Sequence, residues 1–233
     1  MLPKLHPAPR FDLKLFDEEW PFATANRAGI DRHWQAELAK VPAMFNGKVL
    51  LAVRSGFRAD GTFFGDHISV DFEAFLTWRD WGFDSNSGRN IFGAALLRPT
   101  DGGLIMGQMG ANTANAGKIY PASGTLDLGD VAADGTIDIE ASLRRELREE
   151  VGLEADDLTK GEAYIIIEDI ARICFGRIYE TGKTGAETIA DIHANLAGDP
   201  DPELSDVVHV RKGMDLPDAV FLPYVKTLIT ELA

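Results

Sequence analysis

The chain has 233 residues, with 23 lysines and arginines against 37 aspartates and glutamates, for a formal net charge of −14. That length can bury a full core without staples, and a lone cysteine, Cys174, excludes an intramolecular disulfide and a cysteine-built zinc site. No run of 18 apolar residues occurs, which excludes a membrane-spanning helix.

The first ten residues lack an apolar h-region, so no signal peptide and a cytoplasmic location are expected. The charge is uneven. Residues 1–90 carry 11 basic and 12 acidic side chains, whereas residues 91–233 carry 12 and 25. An acidic surface repels nucleic-acid phosphates, so neither a nucleic acid polymer nor a membrane is expected as partner. The remaining options are a solvated acidic surface or carboxylates gathered around cations.

In chain order, residues 11–16 read as a strand. Residues 25–40 read as a helix, with Ile30, Trp34 and Leu38 spaced four apart and Pro42 ending it. Residues 48–54 and 62–70 suggest strands joined through the turn at 58–61, and 72–81 a short aromatic helix. The polar loop 84–88 marks a boundary between a small mixed α/β unit, 1–89, and a second domain, 90–233. Residues 91–98 and 104–109 form a hairpin about Asp101-Gly102-Gly103. A Gly/Ala/Asn-rich loop leads to the segment 118–124. Then come a helix at 138–151, strands at 163–170 and 172–179, a helix at 187–196, a strand at 204–210 and a closing helix at 218–232. Strands interleaved with helices imply an α/β fold with a mixed sheet.

The helix at 138–151 carries the chemistry. Asp138 suits its N-cap and Gly152 its C-terminal stop. At roughly 100° per residue, Ile139, Leu143, Leu147 and Val151 form one apolar stripe. With Glu146 at zero, Glu149 falls near −60° and Glu150 near +40°, with the stripe running from about +20° to +140°. Three carboxylates therefore share an arc at the margin of the buried face, where like charges at i,i+3 and i,i+4 repel. Either the arc is a solvated acidic face, or compensation comes from Arg145 and from hard divalent cations that take oxygen ligands, Mg²⁺ or Mn²⁺.

The run Arg145-Glu146-Leu147-Arg148-Glu149-Glu150-Val151-Gly152-Leu153 resembles the second half of a Nudix box, and Pro121-Ala122-Ser123-Gly124 through Gly129-Asp130 resembles its first half. Asp130 stands where the family has Glu. Fourteen residues, not seven, separate it from Arg145, and the extra seven fall around 131–137. The resemblance covers residues 91 to the C-terminus. It implies a Nudix-like α/β/α sandwich and metal-dependent hydrolysis of a nucleoside diphosphate linked to another moiety. Glu146, Glu149 and Glu150 would hold the metal, Glu149 or Glu150 would accept the proton of water, and Arg145 would orient the glutamates. A further acidic ligand is expected from Glu203, with Glu168, Asp169 and Glu187 as rivals.

Arg54, Arg89 and Lys118 are candidates to meet phosphates. Phe63, Phe64, Trp78, Trp81 and Phe83 offer stacking surfaces or simply core. The unit before the box weakly resembles that of nucleotide-sugar diphosphatases, and association as a homodimer stays open. A non-catalytic nucleotide binder or sensor of the same fold is the alternative reading. Isomerase chemistry on an allylic diphosphate is disfavoured because Cys174 sits in an apolar strand. His209 reads as a half-buried strand residue.

Overall fold

The computed structural model describes residues 3–8, 10–111, 113 and 115–233. Its elements run β1 (Lys4–Ala8), β2 (Phe11–Leu15), α1 (Pro21–Ala25), α2 (Arg27–Leu38), β3 (Lys48–Phe57), β4 (Phe63–Asp71), α3 (Phe72–Asp80), β5 (Asn90–Arg98), β6 (Leu104–Met109), β7 (Ile119–Tyr120), β8 (Ala122–Thr125), α4 (Ile139–Val151), β9 (Thr159–Glu168), β10 (Arg172–Glu180), α5 (Gly185–Leu196), β11 (Leu204–Val210) and α6 (Pro223–Leu232). No helix among the described residues is long and apolar enough to cross a membrane.

Strand β5 is apolar along its length because both of its faces are covered, as expected of a central strand paired in parallel, here to β10. The larger sheet runs β1-β9-β10-β5-β6-β11, with β7 added to β6 and β8 added to β5. Phe92 and Gly93, adjacent on β5, point to opposite faces. Leu143 of α4 lies over Gly93, whereas the Tyr224 ring of α6 packs edge-on to Phe92 at 5.3 Å. Helices therefore cover the sheet on both sides, giving an α/β/α sandwich with a mixed sheet. The α4 stripe is sealed: Ile139, Leu143 and Leu147 are fully buried and Val151 nearly so. Each contributes roughly 2 kcal/mol of apolar burial, an upper estimate.

A three-stranded sheet, β2-β4-β3, precedes it. The period-2 alternation of β3 explains its position. Leu50 and Ala52 enter the large core, whereas Leu51 faces a second cluster with Trp20, Ile30, Ile68 and Trp78 under α2 and α3. β1, which the pattern at 1–10 does not suggest, pairs antiparallel with β9, so residues from both sides of position 89 meet in one sheet. The helix expected at 25–40 is α2, Arg27–Leu38, and a separate short helix, α1, precedes it and ends at Ala25. The final helix begins at Pro223, five residues late, because proline suits the first helical turn.

His67 of β4 is fully buried and donates from Nδ1 to the Gly65 carbonyl at 3.0 Å. Burial pushes its pKa from 6.5 down to about 4, against the pull of the Gly65 and Lys14 carbonyls. The unfolded chain takes up this proton below pH 6.5, while the folded chain resists until about pH 4. Stability is therefore present above the higher value and falls by about 3 kcal/mol as pH drops through this window. Denaturant titrations of wild type and His67→Phe between pH 4 and 7 check this, since the variant should lack that part of the acid limb.

Candidate active site

The site forms where the larger sheet splits. β5 and β6 pair at Leu97 and Ile105 and then diverge; β7 continues along β6 while β8 takes over the edge of β5. Residues 119–125 thus cross the gap between diverging strands, the kind of place where an open α/β sheet leaves a crevice. α4 lies directly over this crossing. Asp138 caps it by accepting from the Ala141 N–H at 3.1 Å, and Gly152 ends it with φ 67°.

The three glutamates, expected to share one arc at the margin of the buried face, sit in different environments. Glu146 and Glu150 are 6% and 4% exposed, while the Glu149 side chain is 53% exposed. Glu150 accepts a hydrogen bond at 3.2 Å from the Ser123 N–H, which β8, paired on one side only, leaves free at its outer edge. Among the described residues no cation pairs with Glu150. Burial first, then the charges of Glu146 and Glu203, push its pKa well above the usual carboxylate range, with the Ser123 N–H pulling the other way. Glu146 is pushed up to about 7, again by burial first; Arg145 opposes the rise, and Glu149, Glu203 and Asp130 add to it. Glu203, just before β11, is also raised, by lost hydration and then by Glu149, Asp199 and Asp201. These carboxylates act on one another through charge at longer range: among the described residues the set of three donors whose atoms all lie within 4.8 Å of one another is His33, Glu37 and Asp80.

Arg145 ties this cluster to the loop before the helix. Its guanidinium donates to Glu146 Oε1 at 2.6 Å and to Asp130 Oδ2 at 3.0 Å, and lies 3.8 Å from Glu149. Asp130 is 3% exposed and also accepts from the Asp127 N–H at 3.0 Å, so it is fixed from two directions. The role that the altered spacing left open for Asp130 is therefore positional: it holds the arginine that holds Glu146. Residues 131–137 leave the site as a lobe closed at its base by a Val131–Ile137 bridge and by the Asp138 N–H bonding to the Asp130 carbonyl at 2.8 Å. The lobe docks on β2 through Leu15 N–H to Gly135 O and Ile137 N–H to Leu13 O, both 2.9 Å. The chain returns to Asp138 beside its point of departure, and the helix start is undisturbed.

Gly124 lies beneath Glu146, and a Cβ there would overlap the carboxylate. Tyr120, at the end of β7, also faces the cluster: burial first, then Glu150, Glu203 and Glu146, raise its phenol. Beside the crossing a cleft of about 120 Å³, open to solvent, is lined by Tyr120, Ser123 and Gly124 together with Asn90, Arg172 and Tyr224, and is closed by Phe75 and Arg79 of α3 and by Phe83 beyond it.

The structure bonds Arg145 to Glu146, sets it 3.8 Å from Glu149, and places Glu150 one turn further on, while Glu203 is linked to them by charge and by no direct contact. It places the other candidates elsewhere. Arg54 is held by Glu18 at 2.8 Å and Asp66 at 2.9 Å, Arg89 by Glu168 at 2.6 Å, and these two arginines line a separate hollow with Ser55 and Phe64. Lys118 donates to the Ala219 carbonyl at 2.5 Å. Glu168 is spent on Arg89, Asp169 on Arg172 and Glu187 on the cap of α5, which leaves Glu203 among the rival acids. Phe63 and Trp78 are core, Trp81 is half-exposed, and Phe83 reaches the cleft. Cys174 is buried in β10 with its thiol pushed up by burial, and His209 bonds the Gly102 carbonyl at 2.6 Å. Sequence reasoning missed Tyr120, Asn90, Arg172, Arg79 and Tyr224. Only Tyr120 lay within a stretch singled out beforehand.

No family model matches the chain, and no curated protein does. Among solved structures it is similar to DR0079 from Deinococcus radiodurans, at 18% identity over 41% of this chain and 58% of that one, with a TM-score of 0.32. A MutT protein from Methanosarcina mazei Go1 shares 20% identity over 56% of this chain and 86% of its own, with a TM-score of 0.34. A Nudix hydrolase from Nitrosomonas europaea shares 17% over 52% and 69%, with a TM-score of 0.30. Likenesses this slight assign neither fold nor activity. The α/β/α architecture and the carboxylate cluster stand on the geometry described above.

Proposed function

We propose that the chain is a Nudix-type hydrolase that cleaves the diphosphate linkage of a nucleoside diphosphate derivative with the help of Mg²⁺ or Mn²⁺. One observation carries the reading: Glu146 and Glu150 are buried one helical turn apart on α4, Arg145 is bonded to Glu146, and among the described residues no cation pairs with Glu150. Burying such a pair costs several kcal/mol unless further positive charge arrives. An all-oxygen donor set suits a hard divalent ion. The resemblance of residues 145–153 to the Nudix box points the same way.

In this reading Glu146, Glu150 and Glu203 would hold the cation, which when bound would neutralise diphosphate charge and acidify water. Glu149, exposed and 3.8 Å from Arg145, takes the proton of the attacking water. Water oxygen then bonds to one phosphorus, the bridging P–O bond breaks, and the leaving oxygen departs with the second phosphate. Arg145, fixed by Asp130, keeps Glu146 from swinging out when the site is empty of substrate. A nucleotide sugar is one substrate that fits this description.

The test is a panel of nucleoside diphosphate derivatives incubated with Mg²⁺ or Mn²⁺ in ¹⁸O water, with products read by mass. Cation-dependent appearance of one labelled phosphate per turnover is expected. Tight nucleotide binding with no turnover across the panel would overturn the hydrolase and favour a sensor.

A further inference from the structure

The unit that precedes the box holds a second set of donor groups, on the seam between α2 and α3. Ile30, His33, Trp34 and Glu37 follow one another at the i, i+3, i+4, i+7 spacing of a single helix face. Ile30 and Trp34 are buried, and the Trp34 ring meets Phe72 of α3 edge-on at 6.2 Å. His33 and Glu37 take the other two positions, where an apolar seam would ordinarily continue, and both are half-buried there. Asp80, the last residue of α3, faces them across the seam.

One donor atom from each of His33, Glu37 and Asp80 lies within 4.8 Å of the others. His33 Nε2 donates to Asp80 Oδ2 at 2.9 Å. Two ligands each about 2 Å from a shared ion stand about 3 Å apart, so this pair already has the spacing that a metal imposes. The side chains of His33 and Glu37 are each 20% exposed and that of Asp80 is 26% exposed, so an ion reaches them from solvent without opening the fold. Lys40 lies 2.6 Å from Glu37 Oε1, and Arg79 Nε lies 2.9 Å from Asp80 Oδ1. Each contact uses one oxygen and orients the carboxylate, as outer partners do around a metal. The backbone is held as well: Trp81 lies over Gly29, one turn before His33, so closely that a Cβ there would overlap its ring. An acid at the end of a helix also meets the negative pole of the dipole, which a bound cation relieves.

We propose that His33, Glu37 and Asp80 form a binding site for a borderline divalent cation, Zn²⁺ above all, that clamps α2 to α3. Imidazole favours zinc over the hard ions that an all-carboxylate set prefers, so this site and the cluster on α4 select different metals. Three protein ligands leave a fourth position to water, unlike a closed four-ligand structural site. The ion takes the place of the hydrogen between His33 Nε2 and Asp80 Oδ2, and the ring proton moves to Nδ1. α3 also carries Phe75 and Arg79 to the cleft beside the strand crossing, and Arg79 holds Asp80. Occupancy therefore stiffens one wall of that cleft. The site stands independently of the hydrolase reading.

The test uses the full chain carrying Glu146→Gln and Glu150→Gln, so that the cluster on α4 no longer competes. Calorimetric titration with Zn²⁺ should show a single site, and Zn²⁺ should raise the melting temperature where an equal concentration of Mg²⁺ does not. Co²⁺ in place of Zn²⁺ should give the visible absorption of an ion ligated by nitrogen and oxygen. Adding His33→Ala should weaken Zn²⁺ binding about 100-fold and remove the cobalt band. Asp80→Asn, which keeps the shape of the side chain, should weaken it about tenfold. Melting of each variant without metal verifies that it is folded. Absence of Zn²⁺ binding overturns the proposal, as does binding that survives both His33→Ala and Asp80→Asn unchanged. Zinc held by the wild-type chain but not by the chain with both glutamates replaced would place the ion on α4 and overturn it likewise. None of these results bears on whether the wild-type protein hydrolyses a diphosphate, which the product assay decides separately.

Discussion

Glu150→Gln is expected to lower turnover of the diphosphate substrate by about 10²- to 10⁴-fold and, at the same time, to raise the melting temperature of the cation-free protein. The two effects share a cause. The wild-type side chain is 4% exposed and has one backbone N–H as partner, and burial first, then the charges of Glu146 and Glu203, oppose its ionisation. An amide keeps the shape and still accepts from Ser123, but it needs neither to ionise against burial nor to take up a proton that the unfolded chain does not hold at this pH, and it carries no charge to hold a cation. Glu149→Gln provides the contrast: its side chain is 53% exposed, so turnover should fall comparably while the melting temperature barely moves. Magnesium should raise the melting temperature of wild type and do so much less for Glu150→Gln. Calorimetric melting with and without Mg²⁺, alongside initial rates, reads all of these. Unchanged rates in both variants would remove the glutamates from the chemistry.

Gly124→Ala is the second large effect. The backbone at Gly124 has no positive φ, so alanine meets no conformational penalty there and the whole consequence comes from one methyl group. That methyl would occupy the space of the Glu146 carboxylate. β8 cannot back away, because the register Gly93–Gly124 fixes it to β5. Glu146 must move instead, giving up its 2.6 Å bond to Arg145. Turnover should drop at least about 100-fold, and overpacking should cost about 1–3 kcal/mol. Adding Glu146→Ala to the same chain removes the clash, so stability should recover while activity does not. Such non-additivity is measurable by a double-mutant cycle in urea. A fully active Gly124→Ala would mean that Glu146 is free to adopt another position at no cost.

The parts of the fold written in local periodicity were legible. Counting 100° per residue along α4 placed the apolar stripe on the buried face and the three glutamates at its margin, but did not say which two of them would be buried. Alternation along β3 likewise marks which leucine faces which core. Elements too short for a period were not legible: β7 has two residues, β8 four, and β1 carries Pro7 and shows no alternation. The arginines at 54 and 89 were chosen for their charge, but charge alone does not say whether a carboxylate already stands opposite, as Glu18, Asp66 and Glu168 do. The cleft was invisible for a different reason. Asn90, Tyr120, Arg172 and Tyr224 come from four elements that only the sheet topology brings together.

The pinched neck at Val131 and Ile137 has a consequence for how this molecule tolerates change in length. Distance across the neck, not contour along the chain, sets the separation between Asp130 and the start of the helix. Extra residues spliced in at the tip would swell a bubble on the flank of β2 and leave the arginine clamp alone. A single residue added or removed below the neck would slide Asp130 out of reach of its partner.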